Sequence, residues 1–222
     1  MAIAAAAVPA ASAKDPVGTR TTKDTGPGFA LGGAGPIVFN CVIVDVRPPT
    51  TPLTDGVVKL RRLRVSDRPP VLAIMGDSIV RRWLNMPEQP TESDFDELLQ
   101  TVSDGWSAGT RWDLAITDAT DTVVGAVIAS KRHRDNWELA YLAGESGRGR
   151  GLVTRSVRLV CSWLFAEGVG RIEVRTHPEN APSQHVAERC GFHLEGRERR
   201  SIWLHGRRQD ALVWSLLPTD RQ

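Results

Sequence analysis

The amino-acid sequence predicts a mixed α/β sandwich: a central sheet, part antiparallel and part parallel, with helices on both faces. Three observations carry that expectation. Over residues 55–218 the hydrophobic patterning runs strand, two helices, three strands, helix, strand, helix, two strands. A single strand–helix–strand crossover occurs, at residues 136–176. The turn that opens this crossover, Arg148-Gly149-Arg150-Gly151-Leu152-Val153-Thr154, runs directly into an amphipathic helix.

Each element has its own reason. Residues 1 to about 36 are rich in Ala, Gly, Pro and Thr and nearly devoid of large apolar side chains, so they cannot bury enough surface to offset their ordering entropy. Met1–Ala13 ends in Ala-Ser-Ala but has no basic start and is interrupted by Pro9, so a disordered tail or an upstream start is expected rather than a secretory signal. Ile37–Val46 is β-branched, a candidate extra strand stopped by Arg47-Pro48-Pro49, and residues 47–56 read as a linker. Residues 1–54 are thus expected to be a poorly structured extension and 55–218 the functional domain.

Val57–Val65 alternates as a strand, and Pro70–Leu84 has helical spacing along Val71, Ile74, Met75, Ile79 and Trp83. Pro87 and Pro90 break that pattern. Thr91-Glu92-Ser93-Asp94 starts a second helix, to about Trp106, with Phe95, Leu98, Leu99 and Val102 as its stripe. Trp112–Thr117 and Val123–Ser130 flank the turn Asp118-Ala119-Thr120-Asp121 as a hairpin, and Asn136–Leu142 is the third strand. Leu152–Glu167 places Val153, Val157, Val160 and Leu164 on one helical face before Gly168 and Gly170 end it. Arg171–Thr176 is a strand and Pro182–Cys190 a short helix. Phe192–Trp203 and Ala211–Leu217 close the domain about His205-Gly206.

Composition excludes several classes. Lys+Arg total 28 against Asp+Glu 26, a net charge of +2, which gives no warrant for a nucleic-acid or membrane partner. No apolar run approaches the roughly 20 residues of a membrane helix. Cys41, Cys161 and Cys190 are widely spaced, so neither a metal site nor a disulfide framework is expected, and a cytoplasmic setting is. A monomer or homodimer is expected.

The glycine turn is the chemical signal. A glycine-rich turn entering a helix bares backbone N–H groups, and the helix dipole adds positive charge, making an anion site suited to phosphate. Arg148 and Arg150 suit phosphate oxygens as well. A dinucleotide fold fits poorly: Thr154 stands where Gly or Ala belongs, Glu173 lies inside the next strand rather than at its end, and one crossover stands where two halves belong. No Gly-Lys-Ser/Thr follows, so a triphosphate loop does not fit either. A turn with solvated arginines and no ligand is the bland alternative.

Four motifs, and the closing hairpin after them, resemble one family. Arg148-Gly149-Arg150-Gly151-Leu152-Val153 is similar to the Q/R-x-x-G-x-G/A pyrophosphate loop of the GNAT acyl-CoA N-acyltransferases, departing at Val153. Trp137-Glu138-Leu139-Ala140-Tyr141 resembles the strand before that loop, and Asn180-Ala181-Pro182-Ser183 the N-x-x-S of the following helix. Cys190-Gly191-Phe192-His193-Leu194-Glu195-Gly196 resembles the GF-x-x-EG of the RimJ/RimL-type branch, and Gly206–Asp210 with Val213–Leu217 resembles its final hairpin. The resemblance covers about residues 55–218.

It implies acetyl-CoA as cosubstrate, a primary amine as acceptor, direct transfer in a ternary complex, and no metal. The pyrophosphate would rest on Arg148, Gly149, Arg150, Gly151, Leu152, Val153 and Thr154. The pantetheine would run along Tyr141, Leu142 and Ala143 like an added strand, with an N–H near Leu142 polarising the thioester carbonyl. Asn180 would bond the pantetheine or fix the loop, or serve only as a helix cap. Ser183 would protonate the leaving thiolate, or make only a local backbone bond. The family's tyrosine four residues later is Ala187 here, and the chain's one tyrosine, Tyr141, lies in a strand. Glu138, on the opposite strand face from Tyr141, is the candidate base acting through water, or a salt-bridged strand residue. His177 and His193 are weaker candidates, and a cysteine acyl-enzyme is not expected. Arg197, Arg199, Arg200, Arg207 and Arg208 make the last hairpin basic, either to draw an acidic acceptor or as a solvated face. Trp83 or Trp106 would line the acceptor pocket. The acceptor implied is the N-terminal α-amine of a protein or peptide; the alternatives are a small-molecule amine such as an antibiotic, polyamine or amino-acid derivative, and a non-catalytic acyl-CoA-binding domain.

Overall fold

The computed structural model describes residues 44–220. Its strands are β1 (Leu53–Thr54), β2 (Lys59–Arg62), β3 (Arg111–Thr117), β4 (Val123–His133), β5 (Asn136–Ala143), β6 (Arg171–Thr176), β7 (His193–Leu204) and β8 (Arg207–Leu216). Its helices are α1 (Arg68–Gly76), α2 (Ser78–Trp83), α3 (Glu92–Ala108), α4 (Leu152–Ala166) and α5 (Ala181–Arg189). The strands form one sheet in the order β1-β2-β3-β4-β5-β6-β8-β7. Every pairing is antiparallel except β5 with β6, the pair joined by the α4 crossover.

Strand alternation divides the sheet between two cores. Trp137, Leu139 and Tyr141 of β5, with Ile172 and Val174 of β6, pack against Val157, Val160 and Leu164 of α4 and Val186 of α5. Ala115, Val123 and Leu142 meet Ile74 of α1, Val80 of α2 and Phe95 of α3 on the other face. Helices therefore cover both faces, as the patterning requires. α3 begins as expected: Thr91 accepts from the Asp94 backbone N–H while the Asp94 carboxylate accepts from the Thr91 N–H. The β3–β4 turn is closed by the Asp118 carboxylate, which accepts from the N–H groups of Thr120 and Thr122.

Several boundaries differ from expectation. The helical pattern at Pro70–Leu84 is two helices, because Asp77 leaves the helix (φ −61°, ψ 123°) and caps α2 by accepting from Ile79 and Val80. Periodicity alone does not register such a break, since both halves present the same apolar face. The strand expected over Val57–Val65 is only Lys59–Arg62, and a 3₁₀ turn at Val65–Asp67 follows. There the buried Arg61 makes a forked pair with Asp67, at 2.8 and 2.9 Å. The linker read over 47–56 contains β1, and packing begins upstream of it: Val46 is buried in the core. Of the candidate strand Ile37–Val46, residues 37–43 lie outside the described residues, and 44–46 are not strand. The last strand begins at Arg207 rather than Ala211, so the closing hairpin is long and stands beyond the end of β6, whose pairing with β8 stops at Thr176–Leu212.

Candidate active site

The site is built on a split in the sheet. β5 and β6 pair only from Asn136–Arg171 to Leu139–Val174. Beyond that point β5 continues to Ala143 on β4, and β6 continues to Thr176 on β8. The two strands diverge, so among the described residues the β6-side edge of Ala140–Ala143 has no strand partner. A backbone edge of this kind can take an extended ligand as an added strand.

The glycine turn stands at the top of the split. Gly149 and Gly151 both have φ +71°, a conformation that costs a residue with a side chain about 1–2 kcal/mol. Open space lies where a Cβ would be at either position, so the requirement for glycine is conformational. Gly147 differs: a Cβ there would lie 2.4 Å from the Val124 carbonyl oxygen of β4, which locks the turn to the sheet. Gly151 is the N-cap of α4, and the first turn of that helix faces a cleft of about 300 Å³. Gly149, Gly151, Val153 and Ala143 form one wall; Pro182, His185, Val186 and Arg189 of α5 form the other. A second hollow, about 460 Å³, shares Gly151, Thr154 and Arg189 with the first and adds Arg155 and Arg158. Together they make a continuous, cationic trough leading from the split across the start of α4.

The arginines of the turn point elsewhere. Arg148 donates from Nε to the Ala143 carbonyl (3.3 Å) and pairs through Nη2 with the Asp77 carboxylate. Arg150 is exposed and donates to the Ser146 carbonyl. An anion at the turn would therefore meet backbone N–H groups and the helix dipole rather than these two guanidiniums.

Across the split, α5 brings together residues far apart in sequence. Asn180 is buried and caps α5, its side chain accepting from the Ser183 N–H at 3.3 Å. The Tyr141 hydroxyl donates to the Ser183 carbonyl at 2.8 Å, and Ser183 Oγ lies 3.4 Å from that hydroxyl. Burial pushes the Tyr141 phenol well above its ordinary range, so it stays protonated. Its ring is in the core, and only its backbone runs along the split; the backbones of Leu142 and Ala143 continue that edge. Ser183 is fully buried one residue from the cleft wall at Pro182.

Glu138 occupies the opposite face, 2 % exposed. Arg132 Nε lies 2.8 Å from one carboxylate oxygen and Arg175 Nη1 3.5 Å from the other. Burial is the main influence on this carboxyl and pushes its pKa up; the two guanidiniums oppose it and Glu173 reinforces it. Arg175 also pairs with Glu173 (3.0 Å) and with both carboxylate oxygens of Glu198 on β7 (3.0 and 3.1 Å). Arg171 holds Glu173 and Glu195.

α2 spans the split on this face. At its start Asp77 is tied to Arg148 of the glycine turn. Past its end, Asn85 donates to the Trp203 carbonyl (2.8 Å) and accepts from the His205 N–H (2.9 Å) of the closing hairpin. His177, at the end of β6, packs its ring on Trp83 with centroids 5.1 Å apart. Trp83 thus sits over the split, whereas Trp106 packs behind the sheet on Trp112. His193 is on the exposed start of β7, and Cys161 lies in the α4 core.

Sequence reasoning missed His185 and Arg189 in the cleft wall, Asp77 as the partner of Arg148, and Arg175 beside Glu138. The four-residue spacing of His185 and Arg189 marks a shared helical face. Nothing in the sequence links Asp77 to Arg148 across 71 residues. Among the described residues no cluster of His, Cys, Asp and Glu could hold a metal ion, and no helix is long and apolar enough to cross a membrane.

Comparison with known proteins agrees with this geometry. The family model described as "Acetyltransferase (GNAT) domain" matches residues 58–193. "Probable N-acetyltransferase YjcK" of Bacillus subtilis (strain 168) is 33% identical over 111 residues, which is 48% of this chain and 61% of that protein. The chain thus spans about three fifths of that relative's length. Mycobacterium smegmatis RimJ, solved with CoA-disulfide, superposes with a TM-score of 0.68 at 20% identity, covering 75% of this chain and 84% of that one. A structure described as RimL, a ribosomal L7/L12 alpha-N-protein acetyltransferase in complex with coenzyme A, has a TM-score of 0.68 at 18% identity, covering 75% and 97%.

Proposed function

This chain belongs to the acetyltransferase (GNAT) family, and we propose that the amine it acetylates is the N-terminal α-amine of a protein or peptide. Acetyl-CoA is the donor. The residues fit it: the left-handed glycines and first turn of α4 suit the diphosphate, the trough suits the remainder of the nucleotide, and the edge of Ala140–Ala143, which pairs with no strand among the described residues, suits the pantetheine.

The acceptor reading is carried by the charge on the acceptor face. Each carboxylate beneath the split is already held by a guanidinium: Glu138 by Arg132 and Arg175, Glu173 by Arg171 and Arg175, and Glu198 by Arg175. A polyamine or aminoglycoside would have to displace these pairs to gain its own. A single α-amine needs none of them. With a pKa of about 7.7–8.0 it is also partly neutral near pH 7, so it does not require a strong base.

In the reaction the amine nitrogen attacks the thioester carbonyl carbon, with an N–H near Leu142 stabilising the oxyanion. The C–S bond then breaks, and the thiolate leaves with the electron pair and takes a proton from Ser183. Glu138 takes the proton released by the amine, through water, its raised proton affinity suiting that role; it then gives this proton up to solvent, from which Ser183 is reprotonated, so both groups are reset.

The test is thiol release from acetyl-CoA with two peptides of one sequence. One has a free N-terminus and a blocked lysine; the other has a blocked N-terminus and a free lysine. Turnover confined to the first supports the reading. Turnover confined to the second, or faster turnover with a polyamine or aminoglycoside, would transfer the chain to another acceptor class.

A further inference from the structure

The charge on the closing hairpin is not explained by the fold. Between Gly196 and Ala211 stand five arginines (Arg197, Arg199, Arg200, Arg207, Arg208) and two carboxylates (Glu198, Asp210). Both carboxylates are committed: Asp210 pairs with Arg197 at 2.7 Å, and Glu198 pairs with Arg175 at 3.0 Å. Among the described residues none of Arg199, Arg200, Arg207 and Arg208 closes a salt bridge, and all four are exposed. The patch does not reflect a general excess, since the whole chain is only +2. Trp203, 57 % exposed, pairs with Arg208 on the opposite face of the hairpin from Arg207, the Arg208 guanidinium 5.9 Å from its ring centroid. The position is specific as well. This stretch extends past the end of β6 and receives the far end of α2 through Asn85 and through the His205 ring at the Arg82 carbonyl, so it forms the mouth of the split on the acceptor side.

Resting on the N-terminal reading above, we propose that this hairpin is a docking surface for an acidic acceptor segment: the residues that follow the acetylated α-amine carry Asp or Glu, which pair with Arg199, Arg200 and Arg207, the last on the sheet face that carries Glu173 and Arg175. An extended chain rises about 3.3 Å per residue, so a segment whose amine lies in the split passes the hairpin within its first several residues. Uncompensated guanidiniums at a rim raise encounter rates and select the partner's charge. Nucleic acid is the less favoured occupant, because a phosphate-backbone binder carries a larger overall excess of basic residues than +2.

The test uses two hexapeptides with free N-termini, identical except that one carries Asp and Glu at positions 2–6 where the other carries Asn and Gln. For the full chain the acidic peptide is expected to show a KM about tenfold lower, with the gap closing as NaCl rises from about 0.05 to 0.5 M. In the double variant Arg199→Glu, Arg207→Glu, whose native side chains make no hydrogen bond among the described residues, the preference should vanish or reverse. Equal KM values, a preference for the amide peptide, or a gap insensitive to salt would overturn this proposal while leaving the N-terminal reading intact. Tight binding of a single-stranded RNA oligonucleotide that the double variant loses, with equal KM for both peptides, would reassign the surface. Transfer to neither peptide would overturn both readings.

Discussion

Replacing Gly151 by Glu tests the donor site most directly. Nothing lies within 4 Å of a Cβ at this position, so the substitution meets no clash. Its structural cost is the left-handed backbone at φ +71°, about 1–2 kcal/mol, or a fall in Tm of roughly 2–8 °C for a domain of this size. Gly151→Ala bears the same backbone cost and serves as the control. The carboxylate of the Glu variant adds repulsion. At about 5 Å from a diphosphate of roughly two negative charges, in an effective dielectric of about 40, the repulsion is about 3 kcal/mol, a weakening of roughly 100- to 300-fold. Titration calorimetry with acetyl-CoA on wild type, Gly151→Ala and Gly151→Glu separates the two contributions, and circular dichroism verifies the fold. Equal acetyl-CoA affinity in the Ala and Glu variants would refute the α4 N-terminus as the diphosphate site.

Three further outcomes are expected. Ser183→Ala should lower kcat about tenfold or more without changing acetyl-CoA affinity, because the Asn180 cap bonds the Ser183 backbone N–H and survives the change; equal kcat would remove the serine from the reaction. Glu138 must be ionised to accept a proton and burial raises its pKa, so kcat/KM should rise with pH through a value above the ordinary carboxylate range. Glu138→Gln should remove the Glu138 step, leaving only the rise that follows the acceptor amine at about 7.7–8.0, and lower activity about 100-fold; an unchanged pH profile would exclude Glu138 as the base. Gly147→Ala would place a Cβ 2.4 Å from the Val124 carbonyl, a backbone atom that cannot rotate away, and should destabilise the fold by about 1–3 kcal/mol in urea titration; wild-type stability would show that the turn is not locked to β4.

The central strands β3 to β6 and the longer helices were legible because their causes are local. Val153, Val157, Val160 and Leu164 define the buried face of α4 by spacing alone, and the Thr91–Asp94 capping box marks the start of α3 to the residue. The glycine turn was legible for the same reason: only glycine takes φ +71° twice in three residues at little cost. The break at Asp77 was not. Its carboxylate both caps α2 and meets Arg148, and the second partner arrives from 71 residues away. Nor did spacing suggest that the lone tyrosine, on β5, would meet Ser183 on α5.

By itself the sequence determined the order of the main elements, the two apolar faces of the sheet, the glycine turn and the family resemblance, because periodicity, capping and glycine dihedrals are properties of a chain and its near neighbours. Tertiary structure alone decided where β5 and β6 part, how Arg132 and Arg175 hold Glu138, and how α2 reaches from the turn to the hairpin. Those outcomes depend on residues brought together from distant parts of the chain. A buried charge settles with whichever partner the packed sheet leaves within reach, and an edge stays open only where diverging strands carry the next backbone out of hydrogen-bonding distance.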